Sequence, residues 1–241
     1  RRLVRGTRRV PELGQLGFSA ETESALLTIL TKPQGMLFVS GPVGSGKTTT
    51  LYSALQHISS SRGSMTSLVT LEDPIELELP FATQTQINTR MGMSFSQTLR
   101  SVLRQDPNVL MLGEIRDRET AEIATQAGLT GHLILTTIHV DSAAGTFARL
   151  IEMGVEPFVV ASATAGCLSQ RLIRNLCTHC RQLAEPEPAV VARFTQLGVD
   201  IGGGPYFEPG GCAQCEGQGY QGRQPVAELL VLTPTLRQAV H

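Results

Sequence analysis

One glycine-rich run has the residue types and the spacing of a phosphate-binding loop. Residues 41–48 read Gly-Pro-Val-Gly-Ser-Gly-Lys-Thr, which fits G-x-x-x-x-G-K-[ST] in full, between an apolar stretch at 36–39 and a predicted helix from Thr48. In that setting the backbone N–H groups cradle phosphates, Lys47 reaches the β- and γ-phosphates, and the Thr48 hydroxyl ligates Mg²⁺. The alternative is a glycine-rich turn without a ligand. The predicted nucleotide site comprises Gly41, Pro42, Val43, Gly44, Ser45, Gly46, Lys47, Thr48 and Thr49.

Carboxylates follow two further predicted strands. The apolar stretch 109–112 leads into Gly113 and Glu114, and the stretch 67–71 leads into Glu72, Asp73, Pro74 and Glu76. A phosphate-loop enzyme needs an acid at a neighbouring strand end to hold Mg²⁺ or to orient the attacking water. Glu114, Glu72 and Glu76 are therefore candidate catalytic acids. The alternatives are solvated loop acids and, for Asp73-Pro74, the chemistry of a turn.

Two histidines bracket the predicted strand 133–138. His132 precedes it and His139 follows it, so a regular strand would separate them by about 23 Å. The two side chains therefore cannot share a metal ion. His139 belongs to the carboxyl edge, where α/β proteins bind ligands; a solvated loop histidine is the alternative. Four arginines flank this region: Arg100, Arg104, Arg116 and Arg118. They are interpreted either as a set of surface charges or as residues that sense phosphate across a subunit boundary.

Four of the five cysteines form two Cys-x-x-Cys pairs. Cys177 and Cys180 make the first pair, and Cys212 and Cys215 follow after 31 intervening residues. Two such pairs predict a closed, structural Zn²⁺ site with four thiolate ligands. Redox-active pairs and buried thiols are the alternatives. Cys167 stands in an apolar stretch predicted to be helical, and we expect it to be a small core residue.

The order of the predicted elements indicates an α/β fold. Strands and helices alternate from about Gly35, which favours a mostly parallel sheet with helices on both faces. We predict a helix capped by Asp141 and another over 157–172. The predicted organisation is the end of an upstream domain and a linker (1–20), a core (21–176), a tetracysteine insert (177–222) and a C-terminal part that returns to the core (223–241).

Composition excludes several protein classes. The 241 residues carry 20 Lys and Arg against 21 Asp and Glu, a net charge of −1, which argues against a broadly basic nucleic-acid-binding protein. No apolar run approaches the roughly 18 residues of a membrane span. The chain opens with Arg1 rather than Met, so we expect it to be a fragment of a longer protein.

Taken together, the motifs resemble those of the secretion ATPase superfamily, and within it the type II secretion and type IV pilus assembly ATPases. The resemblance covers roughly residues 16–240, with the motifs in the family's order. They are the phosphate loop at 41–48, the acidic segment 70–76, the segment 99–107 leading into Gly-Glu-Ile-Arg-Asp at 113–117, the histidine segment 130–139, and Gln-Arg-Leu at 170–172 followed by the four cysteines. Val43, Asn108 and Val140-Asp141 depart from the common pattern without removing a group that the mechanism needs.

The resemblance implies a RecA-like P-loop NTPase core that works as a homo-hexamer in the cytoplasm, peripheral to the inner membrane. It implies ATP hydrolysis that acts on an inner-membrane platform protein, with a cytoplasmic adaptor, to assemble pilin-like subunits for secretion or pilus extension. It also implies roles in hydrolysis for Glu72, Glu76, Glu114, His132 and His139. The cysteines favour the assembly branch over the retraction branch. Family members have a preceding domain that supplies arginines to the nucleotide, and only its end, around residues 1–9, is expected here.

Two other functions compete with this interpretation. A small-molecule kinase would share the phosphate loop, but the order of the acidic and histidine segments disfavours it. A nucleic-acid-dependent ATPase with the cysteines as a zinc finger is disfavoured by the balanced charge and by the lack of a basic helix beside the cysteines. No nucleic-acid partner is therefore expected.

Overall fold

The computed structural model describes residues 9–63, 65–201 and 203–240. The first eight residues of the predicted upstream segment 1–20 lie outside these ranges. The chain forms two compact units, one from the described parts of Arg1–Leu172 and Pro225–His241, the other from Ile173–Gln224. These limits differ by a few residues from those of the predicted insert, and the division into domains remains a prediction.

The strands carry most of the architecture that positions the candidate site. In the described ranges they are β1 (Gly35–Ser40), β2 (Leu68–Glu72), β3 (Thr83–Gln86), β4 (Val109–Leu112), β5 (Leu133–Ile138), β6 (Thr164–Leu176), β7 (Gln182–Ala184), β8 (Tyr206–Glu208) and β9 (Tyr220–Val231). The α-helices there are α1 (Ala20–Leu30), α2 (Lys47–Arg62), α3 (Phe95–Leu103), α4 (Arg118–Leu129), α5 (Gly145–Glu152), α6 (Pro157–Ala163), α7 (Pro188–Gln196) and α8 (Pro234–Ala239).

Seven strands form one sheet, in the order β3-β2-β4-β5-β1-β6-β9. β1 runs parallel to β5 and β6, β4 runs parallel to β2 and β5, and β2 runs parallel to β3. Every residue of β1, β2, β4 and β5 is buried, because a parallel sheet is covered on both faces. The predicted α/β fold with a mostly parallel sheet is confirmed, and the polar strand β3 lies at one edge of this sheet.

The side chains of β1 divide the core into two clusters. Met36 and Phe38 belong to one cluster, and Leu37 and Val39 belong to the other, since successive side chains of a strand point to opposite faces. Helix α4 contributes to the first cluster and helix α2 to the second. The sheet is thus packed by helices on both of its faces, as predicted.

The predicted helix over 157–172 is wrong beyond residue 163. Helix α6 ends at Ala163, and from Thr164 the chain continues as β6, which pairs with β1. The first seven residues of β6 are all buried, and an uninterrupted buried run has no periodicity that separates a strand from a helix. Cys167 is buried as expected, though in a strand, and burial raises the pKa of its thiol to about 12.

The predicted cap of α5 is also wrong. The helix begins at Gly145 rather than next to Asp141. The residue at the N-cap position is Ala144, which makes no side-chain cap hydrogen bond. The hydroxyl of Ser142 accepts a hydrogen bond from the Gly145 N–H at 3.0 Å within the turn that precedes the helix. Other helices have side-chain caps, for example from Ser94 at the start of α3 and from Thr233 at the start of α8.

The second unit has little apolar core. Its two short strands β7 and β8 pair antiparallel, and α7 has no buried residue. Cys177, Cys215 and Gly219 are the buried residues in the described part of this unit. Two of the three are members of the cysteine pairs, so burial in this unit is concentrated at the predicted metal site.

Within the described residues, none of the helices combines the length and the apolar character needed to cross a membrane.

Gly41, directly after β1, occupies a position that admits no side chain. Its φ is +133°, and a Cβ there would lie 2.2 Å from the carbonyl oxygen of Gln170 in β6. We expect Gly41→Ala to lower the free energy of unfolding by about 3 kcal/mol, because a positive φ costs a non-glycine residue about 1–3 kcal/mol and the backbone contact adds to it. Urea unfolding followed by circular dichroism measures this loss.

Gly44→Ala is the matched control for this prediction. Gly44 also has a positive φ, of +80°, but a Cβ there meets nothing within 4 Å. Its substitution should therefore show the cost of the backbone conformation alone. Equal losses for the two variants would contradict the close packing of Gly41 against β6.

Candidate functional site

The phosphate loop connects the carboxyl end of β1 to the first turn of α2. Gly46 precedes the helix with a left-handed φ of 88°, and Lys47 is the first helical residue. The Lys47 ammonium donates to the carbonyl oxygens of Gly41 at 2.9 Å and Pro42 at 3.0 Å. Burial lowers the pKa of Lys47, and the negative charge of Glu114 acts in the opposite direction. The loop thus holds one cation beside N–H groups at a helix start, an arrangement suited to binding phosphates.

Gln170 of β6 supports the loop from behind. Its amide donates to the Ser45 carbonyl at 2.7 Å, its carbonyl accepts from the Thr50 hydroxyl at 2.9 Å, and the side chain is 2% exposed. Gln170 belongs to the Gln-Arg-Leu motif at 170–172, but the motif alone does not indicate its role. The sequence offered one sign of this role, because Gln170 follows an apolar run and a buried amide needs hydrogen-bond partners.

Glu114 lies just beyond β4 and has two basic neighbours. Its carboxylate pairs with the guanidinium of Arg116 and lies 3.3 Å from Nε2 of His139. The Glu114 side chain is 14% exposed. The hydrogen bond to Glu114 raises the pKa of Arg116. The structure therefore brings Glu114 and His139 together, two candidates that are 25 residues apart in the sequence.

Glu76 approaches the residue predicted to hold Mg²⁺. The Thr48 hydroxyl donates a hydrogen bond to Glu76 Oε1 at 2.9 Å. Thr48 is in the first turn of α2 and Glu76 is in the loop after β2. A hydroxyl and a carboxylate oxygen side by side are the ligand types that Mg²⁺ prefers.

Glu72 is enclosed rather than presented to a ligand. It is 2% exposed and accepts hydrogen bonds from Thr70 at 2.6 Å, from Gln84 at 3.0 Å, and from the hydroxyl of Tyr52. Sequence reasoning missed Tyr52 and Gln84. In the sequence, Tyr52 stands out only as a polar hydroxyl on an apolar helix face, and Gln84 only as a polar residue of an edge strand. Neither observation identifies a hydrogen-bond partner.

His132 lies at the other end of the sheet from the phosphate loop. Its carbonyl accepts from the N–H of Gly35, the first residue of β1, and its Nδ1 lies 3.3 Å from the carbonyl of Ala127. Its Nε2 is buried without a partner among the described residues. Because β5 runs parallel to β1, the two histidines mark opposite edges, as the sequence predicts, and the structure does not bring His132 to the other candidates.

Three of the four flanking arginines have partners away from the loop. Arg100 pairs with Glu119 at 3.1 Å, and Arg118 pairs with Glu122 at 2.6 Å. Arg104 donates to the hydroxyl of Ser101 at 3.1 Å. These contacts favour a surface charge set over phosphate sensors at a subunit boundary. Of the four arginines, Arg116 is the one that contacts a candidate catalytic acid.

The four paired cysteines converge on one point. Their sulfur atoms all lie within 4.8 Å of one another. The measured separations are 4.0 Å for Cys177–Cys212, 3.7 Å for Cys180–Cys215 and 3.8 Å for Cys212–Cys215. Tetrahedral thiolates at 2.3 Å from a Zn²⁺ ion would be about 3.8 Å apart. The donor set and its spacing therefore fit a metal ion.

Backbone N–H groups point at one of these sulfurs. Cys215 Sγ accepts from the N–H of Cys212 at 3.3 Å and from that of Gly219 at 3.1 Å. These two hydrogen bonds, the one from Cys212 first, lower the pKa of Cys215 to about 6. A thiolate is the form of cysteine that binds metal, so the backbone favours the ligating form.

Comparison with known proteins gives a consistent family. The family model described as "Type II/IV secretion system protein" matches residues 1–241. The chain is 47% identical over 231 residues to the putative type II secretion system protein E of Escherichia coli K12, covering 95% of this chain and 45% of that protein. It is 42% identical over 239 residues to the type IV pilus assembly ATPase PilB of Thermus thermophilus, covering 99% of this chain and 26% of that protein.

Solved structures share the fold. The pilus retraction motor PilT with bound ADP superposes with a TM-score of 0.66 at 27% identity, covering 96% of this chain and 56% of that one. The VirB11 ATPase of the Brucella suis type IV secretion system, with a TM-score of 0.58 at 20% identity over 99% of this chain and 61% of that one, supports the fold alone. This chain spans less than half the length of the two relatives compared above. On the family match and these identities, the chain belongs to the type II/IV secretion system protein family.

Proposed function

We propose that this chain is the ATP-hydrolysing part of a motor that powers the assembly of pilin-like subunits, in type II secretion or in type IV pilus extension. The observation that carries the proposal is the meeting of Lys47, Thr48, Glu76 and Glu114 at the carboxyl edge of one parallel sheet. The printed names of the relatives, a secretion protein E and a pilus assembly ATPase, support the pathway.

The loop residues bind the nucleotide in this proposal. The backbone N–H groups of the loop 41–49, other than Pro42, which has none, surround the phosphates. Lys47 exchanges the carbonyls of Gly41 and Pro42 for phosphate oxygens. Thr48 and Glu76 are the residues that would hold Mg²⁺. When bound, this ion neutralises negative charge on the phosphates.

Two carboxylates remain to handle the attacking water. Glu76 accepts a hydrogen bond from Thr48. The negative charge of Glu114 acts on the pKa of Lys47, so Glu76 and Glu114 are the candidates. His139 and Arg116 hold Glu114 by its two oxygens. The role that the resemblance implies for His132 remains a prediction, and no contact of His132 in this chain supports it.

The assembly and its partners are proposed from the family resemblance. We infer a homo-hexamer that is cytoplasmic and peripheral to the inner membrane through a platform protein and a cytoplasmic adaptor. The balanced charge of the chain supports protein partners rather than nucleic acid.

We also propose that the four cysteines bind Zn²⁺. The sulfur separations of 3.7 to 4.0 Å support a tetrahedral site, and four protein ligands leave no open position for catalysis. The second unit buries few side chains in its described part, so the ion would supply stability that an apolar core supplies elsewhere.

Removal of the loop cation tests the enzymatic proposal. We expect Lys47→Ala to reduce ATP hydrolysis by roughly 10²- to 10³-fold, because a preorganised charge on the transferred phosphoryl group is lost. Steady-state phosphate release measures the change. Lys32→Ala, which removes the same charge outside the loop, is the matched control and should retain wild-type activity.

The same assay separates the motor from its competitors. Specific activity of the unaltered chain should rise with protein concentration as subunits associate, and it should not depend on added DNA. Activity that requires DNA, or a Lys47→Ala variant as active as the Lys32→Ala control, would contradict the proposal.

Elemental analysis tests the metal site. The purified chain should contain about one zinc per molecule, and Cys212→Ser should lose it because three thiolates no longer close the site. Cys167→Ala is the control, since Cys167 is buried in β6 and outside the cluster. A folded wild-type protein without zinc would refute this proposal.

A further inference from the structure

Tyr52 joins the phosphate-loop helix to the acidic loop. It lies one turn beyond Thr48 in α2 and is 3% exposed. Its hydroxyl donates to the carboxylate of Glu72 and accepts from the backbone N–H of Glu76 at 3.3 Å. The Tyr52 oxygen therefore links Glu72, at the end of β2, to Glu76, whose side chain accepts a hydrogen bond from Thr48.

The carboxylate of Glu72 is buried and hydrogen-bonded in a way that does not suit a water-activating base. Its Oε1 accepts from Thr70 at 2.6 Å and from Gln84 at 3.0 Å, while Oε2 accepts from Tyr52. The residue is 2% exposed. A general base must reach the water whose proton it takes, whereas the oxygens of Glu72 are already occupied by side chains that anchor it.

The loop after Glu72 is tied down from the side of the sheet as well. Gln84 of β3 accepts from the Leu79 N–H at 2.6 Å and donates to the Leu77 carbonyl at 3.0 Å. Gln86 accepts from the Ile75 N–H at 3.3 Å. Strand β3 thus fixes both flanks of Glu76, and Tyr52 fixes Glu76 itself to helix α2.

We propose that Tyr52 and Glu72 are positioning residues: their buried pair holds the backbone of Glu76 so that its carboxylate faces the Thr48 hydroxyl, and Glu72 does not activate water. The inference rests on the proposed ATP hydrolysis and deepens it. Among the predicted acids, Glu76 and Glu114 then remain to act on the nucleotide and its water.

The protonation of Tyr52 agrees with this arrangement. Burial and the hydrogen bond to Glu72 raise the pKa of the phenol, so it stays protonated at neutral pH. It can therefore donate to the carboxylate while its oxygen accepts from the Glu76 N–H.

Substitutions in the full chain test the positioning role. We expect Tyr52→Phe to lower kcat roughly tenfold and to leave KM for ATP within about twofold of the wild type, because the loop is displaced while the nucleotide-binding groups are kept. Ser53→Ala is the matched control: it removes a buried hydrogen bond of 2.7 Å, to the Pro11 carbonyl, from the next position of the same helix. It should keep the wild-type kcat.

Glu72→Gln supplies a second and independent measurement. If Glu72 only anchors the loop, Glu72→Gln should reduce kcat about as much as Tyr52→Phe does. Both reductions should be far smaller than those caused by Glu114→Gln or Glu76→Gln. Because the two residues act as a unit, the double variant Tyr52→Phe/Glu72→Gln should be no slower than the slower single variant. Should Tyr52→Phe not fold, the comparison of Glu72→Gln with Glu114→Gln decides the question alone.

Two results would overturn the inference. One is a Tyr52→Phe kcat equal to that of Ser53→Ala. The other is a Glu72→Gln variant as slow as Glu114→Gln with normal binding of a non-hydrolysable ATP analogue, which would make Glu72 the base. An unaltered chain that hydrolyses no ATP would instead refute the proposed function, so the two failures are distinguishable.

Discussion

The parallel alignment of β1, β2, β4 and β5 is the constraint on which the candidate site depends. Parallel strands end at the same edge of a sheet, so the residues that follow them meet there however far apart they are in the sequence. The phosphate loop follows β1, the acidic loop follows β2, Glu114 follows β4 and His139 follows β5. The contacts Thr48–Glu76 and Glu114–His139 are direct products of this alignment.

This constraint explains which features could be predicted. A short apolar run followed by a polar residue identifies a buried strand and its exit, and that signal was enough for the loop, Glu114 and the opposite positions of the two histidines. It failed at β6, where seven buried residues in succession carry no period. A separate prediction, the cap of α5, failed because residue type favours Asp141, whereas the backbone enters the helix only after Ala144, which makes no side-chain cap hydrogen bond.

The supporting residues were beyond sequence reasoning for a different reason. Tyr52, Gln84 and Gln170 each make a hydrogen bond to a group between 12 and 125 positions away in the sequence. Residue type states what such a side chain can donate or accept, but the partner is set by the tertiary fold. The candidate acids could therefore be named from the sequence, while the structure was required to distinguish Glu72, which is 2% exposed, from Glu114, whose side chain is 14% exposed and pairs with two basic residues.

The convergence of the cysteines has a consequence for the chain between them. The sulfurs of both pairs lie within 4.8 Å of one another, so with Zn²⁺ bound as proposed they would cross-link the two ends of the segment between Cys180 and Cys212. The entropy of closing a flexible loop grows slowly, by about 0.6 kcal/mol for each doubling of its length. With its ends cross-linked in this way, the segment that carries the exposed helix α7 could change in length at a small entropic cost.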